Sequence, residues 1–408
     1  MTSETPKMAE AFSEGMPGAH LRVALVHPTN WPYVRRGTER FINEFAAFLG
    51  QRGHTVKVIC SKPGAREVVR HQHFETVYHR SLSSPWLARM GLHDYHIFPL
   101  TTLFATLRER FDLIHCFNFT DALAANAVSR FHGGAVLLHL ASIPPAVSYR
   151  REVSSGGTLL RKAILGADQL LTVGLAQQKY FEERFGRKCA LLPVPVDLER
   201  FSLSETRDPR HPVILCASAL EDRRKGGRLL MRAFNAIRTE APNARLKISS
   251  QLTPPLQSEL LGLVDARWRA DVDFLGAGDL TDLPGVFGSA SVLAVPSLWE
   301  ASSLALVEAL ATGTPIVSTT DMPGFHELIE PEIGRAFEPG PPEDAEPSNL
   351  AGLVTALTEA LELSRRPETP RNCRRRAERH GWQAVGPRYE ALYHEVVRQR
   401  STGRVTAE

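Results

Sequence analysis

Short apolar runs that end in a loop and give way to an amphipathic helix recur through this chain, and that alternation confines it to one class of fold. The first run is Val23-Ala24-Leu25-Val26-His27-Pro28. It is continuous in its apolar character, as in a strand buried on both faces of a parallel sheet. A Gly-containing loop follows, then a helix expected over residues 38–51, with Phe41, Phe45, Phe48 and Leu49 on one stripe and Gly53 past its end. Strands are expected next at 55–60, 113–116, 135–140 and 170–173. A polar, Pro-containing stretch at 202–212 reads as a linker, after which the alternation restarts. Strands are expected at 213–217, 245–249, 272–275, 292–295 and 315–318, and helices over 229–237, 303–311 and 350–363. The expected fold is α/β, with two Rossmann-like domains facing across a cleft. The boundaries read as a tail at 1–20, domains at 21–203 and 204–378, a C-terminal helix at 379–400 and a tail at 401–408. The length of 408 residues suits two domains of roughly 100–200 residues each. Two such sheets would hold a ligand at the carboxyl ends of their strands.

Composition narrows what such a fold does here. Charged residues form 23% and apolar residues 43% of the chain, the balance of an ordinary globular protein, so a fibrous or disordered chain is excluded. A net charge of +3 is too small to make nucleic acid the expected partner. Cys60, Cys116, Cys189, Cys216 and Cys373 are scattered, odd in number and without CxxC spacing. Neither a disulfide framework nor a zinc site is expected, and a reducing, cytoplasmic setting is. No run approaches the ~20 apolar residues of a spanning helix, and residues 1–20 carry acids where a signal peptide has an apolar core. The histidines group only at His71-Gln72-His73, in a polar stretch, so no metal is expected. The phosphate-loop pattern GxxxxGK[ST], the dinucleotide pattern GxGxxG and the hydrolase patterns GxSxG and HExxH do not occur.

Three segments carry chemistry. In Pro296-Ser297-Leu298-Trp299-Glu300-Ala301-Ser302-Ser303-Leu304 a strand ends, a short loop carries Glu300, and a helix begins near Ser302 or Ser303. Unpaired amides at a helix start, with the positive end of the helix dipole behind them, favour phosphate. Glu308 lies more than a turn further on, where a carboxylate can accept hydrogen bonds from vicinal sugar hydroxyls; a serine-capped helix with two solvated glutamates is the plainer reading. The second segment, Asp222-Arg223-Arg224-Lys225-Gly226-Gly227, puts three cations before a helix entrance. That suits a pyrophosphate or a solvated turn. The third, Arg35-Arg36-Gly37-Thr38-Glu39, has a glycine that suits either close approach to a ligand or a tight strand-to-helix turn.

Taken in order, the segments RVALVHP, RRGTERFINEFAAFLGQRGHTVKVI, FDLIH at 111–115, ADQLLTV at 167–173, LPVPVDLERF at 192–201, RKGG at 224–227, FLGAG at 274–278 and PSLWEASSLALVEALATGTPIV at 296–317 resemble the family-4 retaining glycosyltransferases. The resemblance implies the GT-B fold, with the last helix, around Trp382–Tyr393, crossing back to the first domain. It implies a nucleotide diphospho-sugar donor, an acceptor hydroxyl on a glycan, lipid or small metabolite, and retention of anomeric configuration. By its terms Glu300, Lys225, Arg224 and His139 are catalytic. Glu308 takes the ribose, while Ser302, Ser303, Leu304 and Arg223 meet the diphosphate. Gly276 borders the nucleobase, Gly37 approaches the donor phosphates, and Arg36 and Thr38 lie on the acceptor side. No cofactor or metal is implied, because fixed cations and amides stabilise the departing nucleotide.

The chain departs from the family at several places. Ala301-Ser302-Ser303 replaces Gly-Phe-Gly, Ala219 stands where many members carry an arginine, and Arg223 offers a substitute cation. The first-domain histidine falls on Ala141 in an ungapped alignment and on His139 after a one-residue slip. Those departures keep a second reading open, a non-catalytic GT-B protein that binds sugar nucleotides or serves assembly. A sugar-nucleotide epimerase or hydrolase is a third. The acceptor loops, 62–99 and 143–157, have no readable signature. Arg150, Arg151, Arg161 and Lys162 suit a solvated helix or a peripheral contact with the inner face of a membrane.

Overall fold

The computed structural model describes residues 19–34, 37–81, 86, 89, 94–140, 156–204, 207–276, 282–298, 300, 303–320, 329–341 and 346–403. The expected tails lie almost wholly outside these residues, as do Arg36, Arg150, Arg151, Ala301 and Ser302. The chain divides into two units, Met1–Val194 with Gln383–Glu408, and Pro195–Trp382.

The first unit holds strands β1 (Arg22–Val26), β2 (Thr55–Lys62), β3 (Glu67–Arg70), β4 (Glu75–Arg80), β5 (Leu113–Cys116), β6 (Ala135–Leu140), β7 (Gln169–Thr172) and β8 (Cys189–Leu191). Their order is β3-β4-β2-β1-β5-β6-β7-β8. Val23 of β1 faces Val56 of β2 on one side and Leu113 of β5 on the other. The central run Val23–Val26 is wholly buried because helices cover both faces. Only β3 runs antiparallel, and it closes the edge on β4. The polar hairpin β3–β4 and the helix Asp94–Arg108 fall in a stretch where the sequence shows no periodicity.

Helix Gly37–Gln51 packs one face with the C-terminal helix Trp382–Ser401, which belongs to this unit from Gln383 onward. The contact is aromatic, with the Phe45 and Tyr389 rings 4.9 Å apart. Gly386 permits it, since any β-carbon there would run into the Phe48 ring. Polar ties fix the register: Tyr393 Oη lies 2.6 Å from His115 Nδ1, and Arg52 Nε donates to Glu390 Oε2 at 2.8 Å.

The second unit is a six-stranded parallel sheet of β9 (Val213–Cys216), β10 (Arg245–Ser249), β11 (Val272–Leu275), β12 (Val292–Val295), β13 (Ile316–Thr319) and β14 (Gly334–Phe337). The order is β11-β10-β9-β12-β13-β14. The chain starts in the middle, moves to one edge, returns and moves to the other. The reversal falls between β9 and β12, and a crevice opens at the carboxyl ends of strands at such a point.

The polar stretch 202–212 belongs to this unit, and the division comes earlier, at Val194 and Pro195. Val196 and Phe201 are buried in one cluster with Leu215 and Phe287. Arg207 then ties the stretch down, donating to the carbonyls of Ala290 (2.9 Å) and Thr312 (2.6 Å). Burial of apolar anchors outweighs the local polarity that marked a linker.

Candidate functional site

The chain leaving β9 turns at Arg223–Lys225, reverses at Gly226 and enters helix Gly227–Glu240. Asp222 organises that turn. Its Oδ1 accepts the Arg224 amide at 3.2 Å and its Oδ2 accepts Arg224 Nε at 2.6 Å. The chain leaving β12 runs through Ser297 and Glu300 to helix Leu304–Ala311. One backbone bond joins the two loops, Leu298 N–H to the Arg224 carbonyl at 2.7 Å.

The side chains meet across that seam. The Lys225 ammonium donates to Glu300 Oε1, and the Ser297 hydroxyl donates to the same oxygen at 2.9 Å. Arg224 Nη1 stands 4.0 Å from Oε2. Ser297 is itself held, since Thr319 Oγ1 on β13 donates to its carbonyl at 2.8 Å. Glu300 is 8% exposed, so this is a largely desolvated, charge-assisted cluster fixed by rigid elements.

The other expected residues distribute unevenly. Ser303 precedes helix Leu304–Ala311 in extended conformation, with no side-chain cap. The first amides of that helix, Leu304 among them, have no intrahelical partner, as at any helix start. Glu308 is buried further along the same helix. Arg223 turns away from the Lys225–Glu300 pair, bonding Glu346 Oε1 at 2.6 Å, an oxygen that also takes Arg228 Nη1 at 2.7 Å. Gly276 follows β11, the edge strand, with β10 between that strand and β9. Gly37 and Thr38 open helix Gly37–Gln51 of the first unit.

His139 sits in β6 of the first unit, walled by Phe41, Phe117 and His115 at ring distances of 6.0, 5.2 and 5.4 Å. Neither ring nitrogen has a hydrogen-bond partner among the described residues. Burial drives its pKa from 6.5 down to about 3. Burial, and then the neighbouring His139, hold His115 well below the ordinary value too. In the unfolded chain both rings would take a proton near pH ~6.5. The stabilising contribution of His139 is therefore complete above that pH and is lost as the pH falls toward about 3, and that of His115 is lost in the same direction. His139→Leu should remove about 1.4 kcal/mol per pH unit from the slope of unfolding free energy over that window. Denaturant titrations at several pH values read it, and parallel slopes in variant and parent would refute a neutral buried ring.

Sequence reasoning assigned no part to Ser297, Asp222 or Glu346. Ser297 stands three positions before Glu300 in a segment already singled out, and that spacing is the one signal available. A further grouping joins His54, Glu390 and His394, all of metal-ligating type. His54 Nδ1 accepts the Leu21 amide at 3.2 Å, which puts the ring proton on Nε2, 3.1 Å from Glu390 Oε1. With Arg52 on the other carboxylate oxygen, His54, Glu390 and Arg52 form a hydrogen-bonded tie, beside which His394 Nε2 is buried without a hydrogen-bond partner among the described residues.

Two Rossmann-like units, the second with an ion pair at its switch point, define the GT-B class of fold. Solved structures agree. The chain is similar to a sucrose-phosphate synthase from Thermosynechococcus elongatus, at TM-score 0.75 and 19% identity over 92% of this chain and 98% of that one. It is also similar to HepE from Anabaena in complex with UDP-glucose, at TM-score 0.64 and 16% identity over 94% and 100%. Residues 211–360 match the family described as "Glycosyl transferases group 1", and residues 35–200 match "Glycosyltransferase Family 4". The chain belongs to glycosyltransferase family 4. It is 30% identical over 236 residues to an MMP alpha-(1->4)-mannosyltransferase of Mycolicibacterium hassiacum, a match covering 56% of this chain and 54% of the relative. The chain spans about half the length of the curated relatives it matches at this level. Among the described residues no helix is long and apolar enough to cross a membrane.

Proposed function

We propose that this protein transfers a sugar from a nucleotide diphospho-sugar to an acceptor hydroxyl, with retention and without a divalent metal. The observation that carries the reading is the Lys225–Glu300 pair, set where β9 and β12 end and bonded further to Ser297. A carboxylate beside a diphosphate would repel it unless cations stood between them, and Lys225 and Arg224 are the cations at hand. Glu300 would accept hydrogen bonds from donor sugar hydroxyls and Glu308 from the ribose. The amides from Ser302 to Leu304 would receive the diphosphate. As the bond from the anomeric carbon to the phosphate oxygen breaks, the acceptor oxygen bonds to that carbon from the same face. The acceptor proton passes to the departing phosphate. No protein base is needed, so the reaction runs without His139.

The test is thermal unfolding against UDP, GDP, ADP and their common sugars, with Glu308→Ala beside the parent. A ligand at about 100 times its dissociation constant adds ~2.7 kcal/mol, well within the range of such a scan. One nucleotide family should stabilise the parent and lose most of that effect in Glu308→Ala. Equal stabilisation of both proteins would remove Glu308 from the ribose. Binding without transfer to any acceptor, and without release of free sugar, would favour the non-catalytic reading.

A further inference from the structure

On the first unit, helices Asp94–Arg108, Phe119–His132 and Gly156–Gly166 pack side by side. The first of them buries Phe98 in the core but sets large apolar side chains on its outer face and polar ones inside. Its buried stripe includes Thr102 and Thr106, and Thr102 Oγ1 faces the buried Asp121 carboxylate at 3.3 Å. Its outward stripe is Leu100, Phe104 and Leu107, with Phe104 59% exposed. A surface helix in water ordinarily shows the reverse arrangement. The neighbouring helices continue the pattern, with Phe131 81% exposed and Leu159 and Leu165 both outward.

Among the described exposed side chains of the three helices, charge has one sign. Arg108, Arg130, Arg161 and Lys162 are exposed. Among the described side chains of the three helices the carboxylate is Asp121, and it is fully buried. Scattered exposed leucines are ordinary. Six large apolar side chains on three adjacent helices, interleaved with unopposed cations, are not.

We propose that this face docks on an anionic lipid surface. Phosphate headgroups match the cations, and the acyl boundary matches Phe104, Phe131 and the leucines. A second copy of the chain fits less well, because a two-fold contact would set like charges against each other. The inference rests on surface chemistry alone and does not depend on the donor pair or on transfer.

The full chain should sediment with vesicles of mixed phosphatidylglycerol and phosphatidylcholine at low salt, and stay in solution with phosphatidylcholine alone. The variants F104S/F131S and R161E/K162E should each lower the bound fraction about tenfold. Leu350→Ser, an exposed leucine on the second unit, should bind as the parent does. Because all these positions are exposed, thermal midpoints should not move, which separates lost docking from lost folding. Undiminished sedimentation of both double variants would overturn the proposal, as would failure of the parent to bind the anionic vesicles. Parent dimerisation that either double variant abolishes, without vesicle binding, would assign the face to a second copy and overturn it equally.

Discussion

Lys225→Ala is expected to slow sugar transfer about 10²–10³-fold in single-turnover measurements at saturating donor, the loss that follows when a fixed group that stabilises developing charge is removed. The same change leaves Glu300, 8% exposed, with the Ser297 hydroxyl and an arginine 4.0 Å away. Stranding one member of a buried pair costs roughly 3–5 kcal/mol, and the partial exposure of this pair puts the expected loss at the lower end. The two effects separate in the double variant K225M/E300Q. There no charge is stranded, so stability should return toward the parent while transfer stays slow. A full transfer rate in Lys225→Ala would remove the lysine from its charge-neutralising role. Recovery of rate together with stability in the double variant would show that the pair only holds the loops.

Gly226→Ala is expected to do more damage to the fold than any other single-methyl addition near the site. Gly226 has a φ of 73°, in the left-handed region that an alanine enters at a cost. A β-carbon there would also run into the Pro296 carbonyl, which is backbone and cannot swing aside. Strain and overpacking together predict a loss of about 2–4 kcal/mol. The loop of β12 would be pushed from the turn of β9, breaking the Leu298–Arg224 backbone bond that aligns Lys225 with Glu300. Chemical denaturation gives the stability and nucleotide titration gives the site. A stable variant with parental nucleotide affinity would mean that the turn is not under this constraint.

Much of the second unit was legible because its signals are local. The strands at 245–249, 272–275 and 292–295 stand where the sequence places them: Val292–Val295 is buried throughout and needs a continuous apolar run, while Arg245–Ser249 alternates buried Leu246 and Ile248 with partly exposed neighbours. Glu300 and Lys225 could be singled out from their neighbours alone. Their contact could not, because they stand 75 positions apart and only the strand order brings β9 beside β12. Arg223 shows the converse. Three adjacent cations read alike in sequence, yet the turn sends Arg223 to Glu346 and its neighbours toward Glu300. Helix Asp94–Arg108 was illegible because Leu100, Phe104 and Leu107 face outward while Thr102 and Thr106 join Phe98 inside, which blurs the stripe that sequence reading looks for.

The sequence by itself determined the class of fold and the chemical types at the site: apolar runs and helical stripes bury area in one way, and glycines and carboxylates at fixed offsets keep their local geometry. Tertiary structure alone decided which cations face Glu300, that Val196 and Phe201 draw the polar stretch into the second unit, that the last helix closes on Phe45 and Phe48, and that His139 is enclosed among aromatic rings. Each of these depends on contacts between residues far apart in the chain. Such contacts are selected by the summed packing of whole layers, which no window of sequence contains.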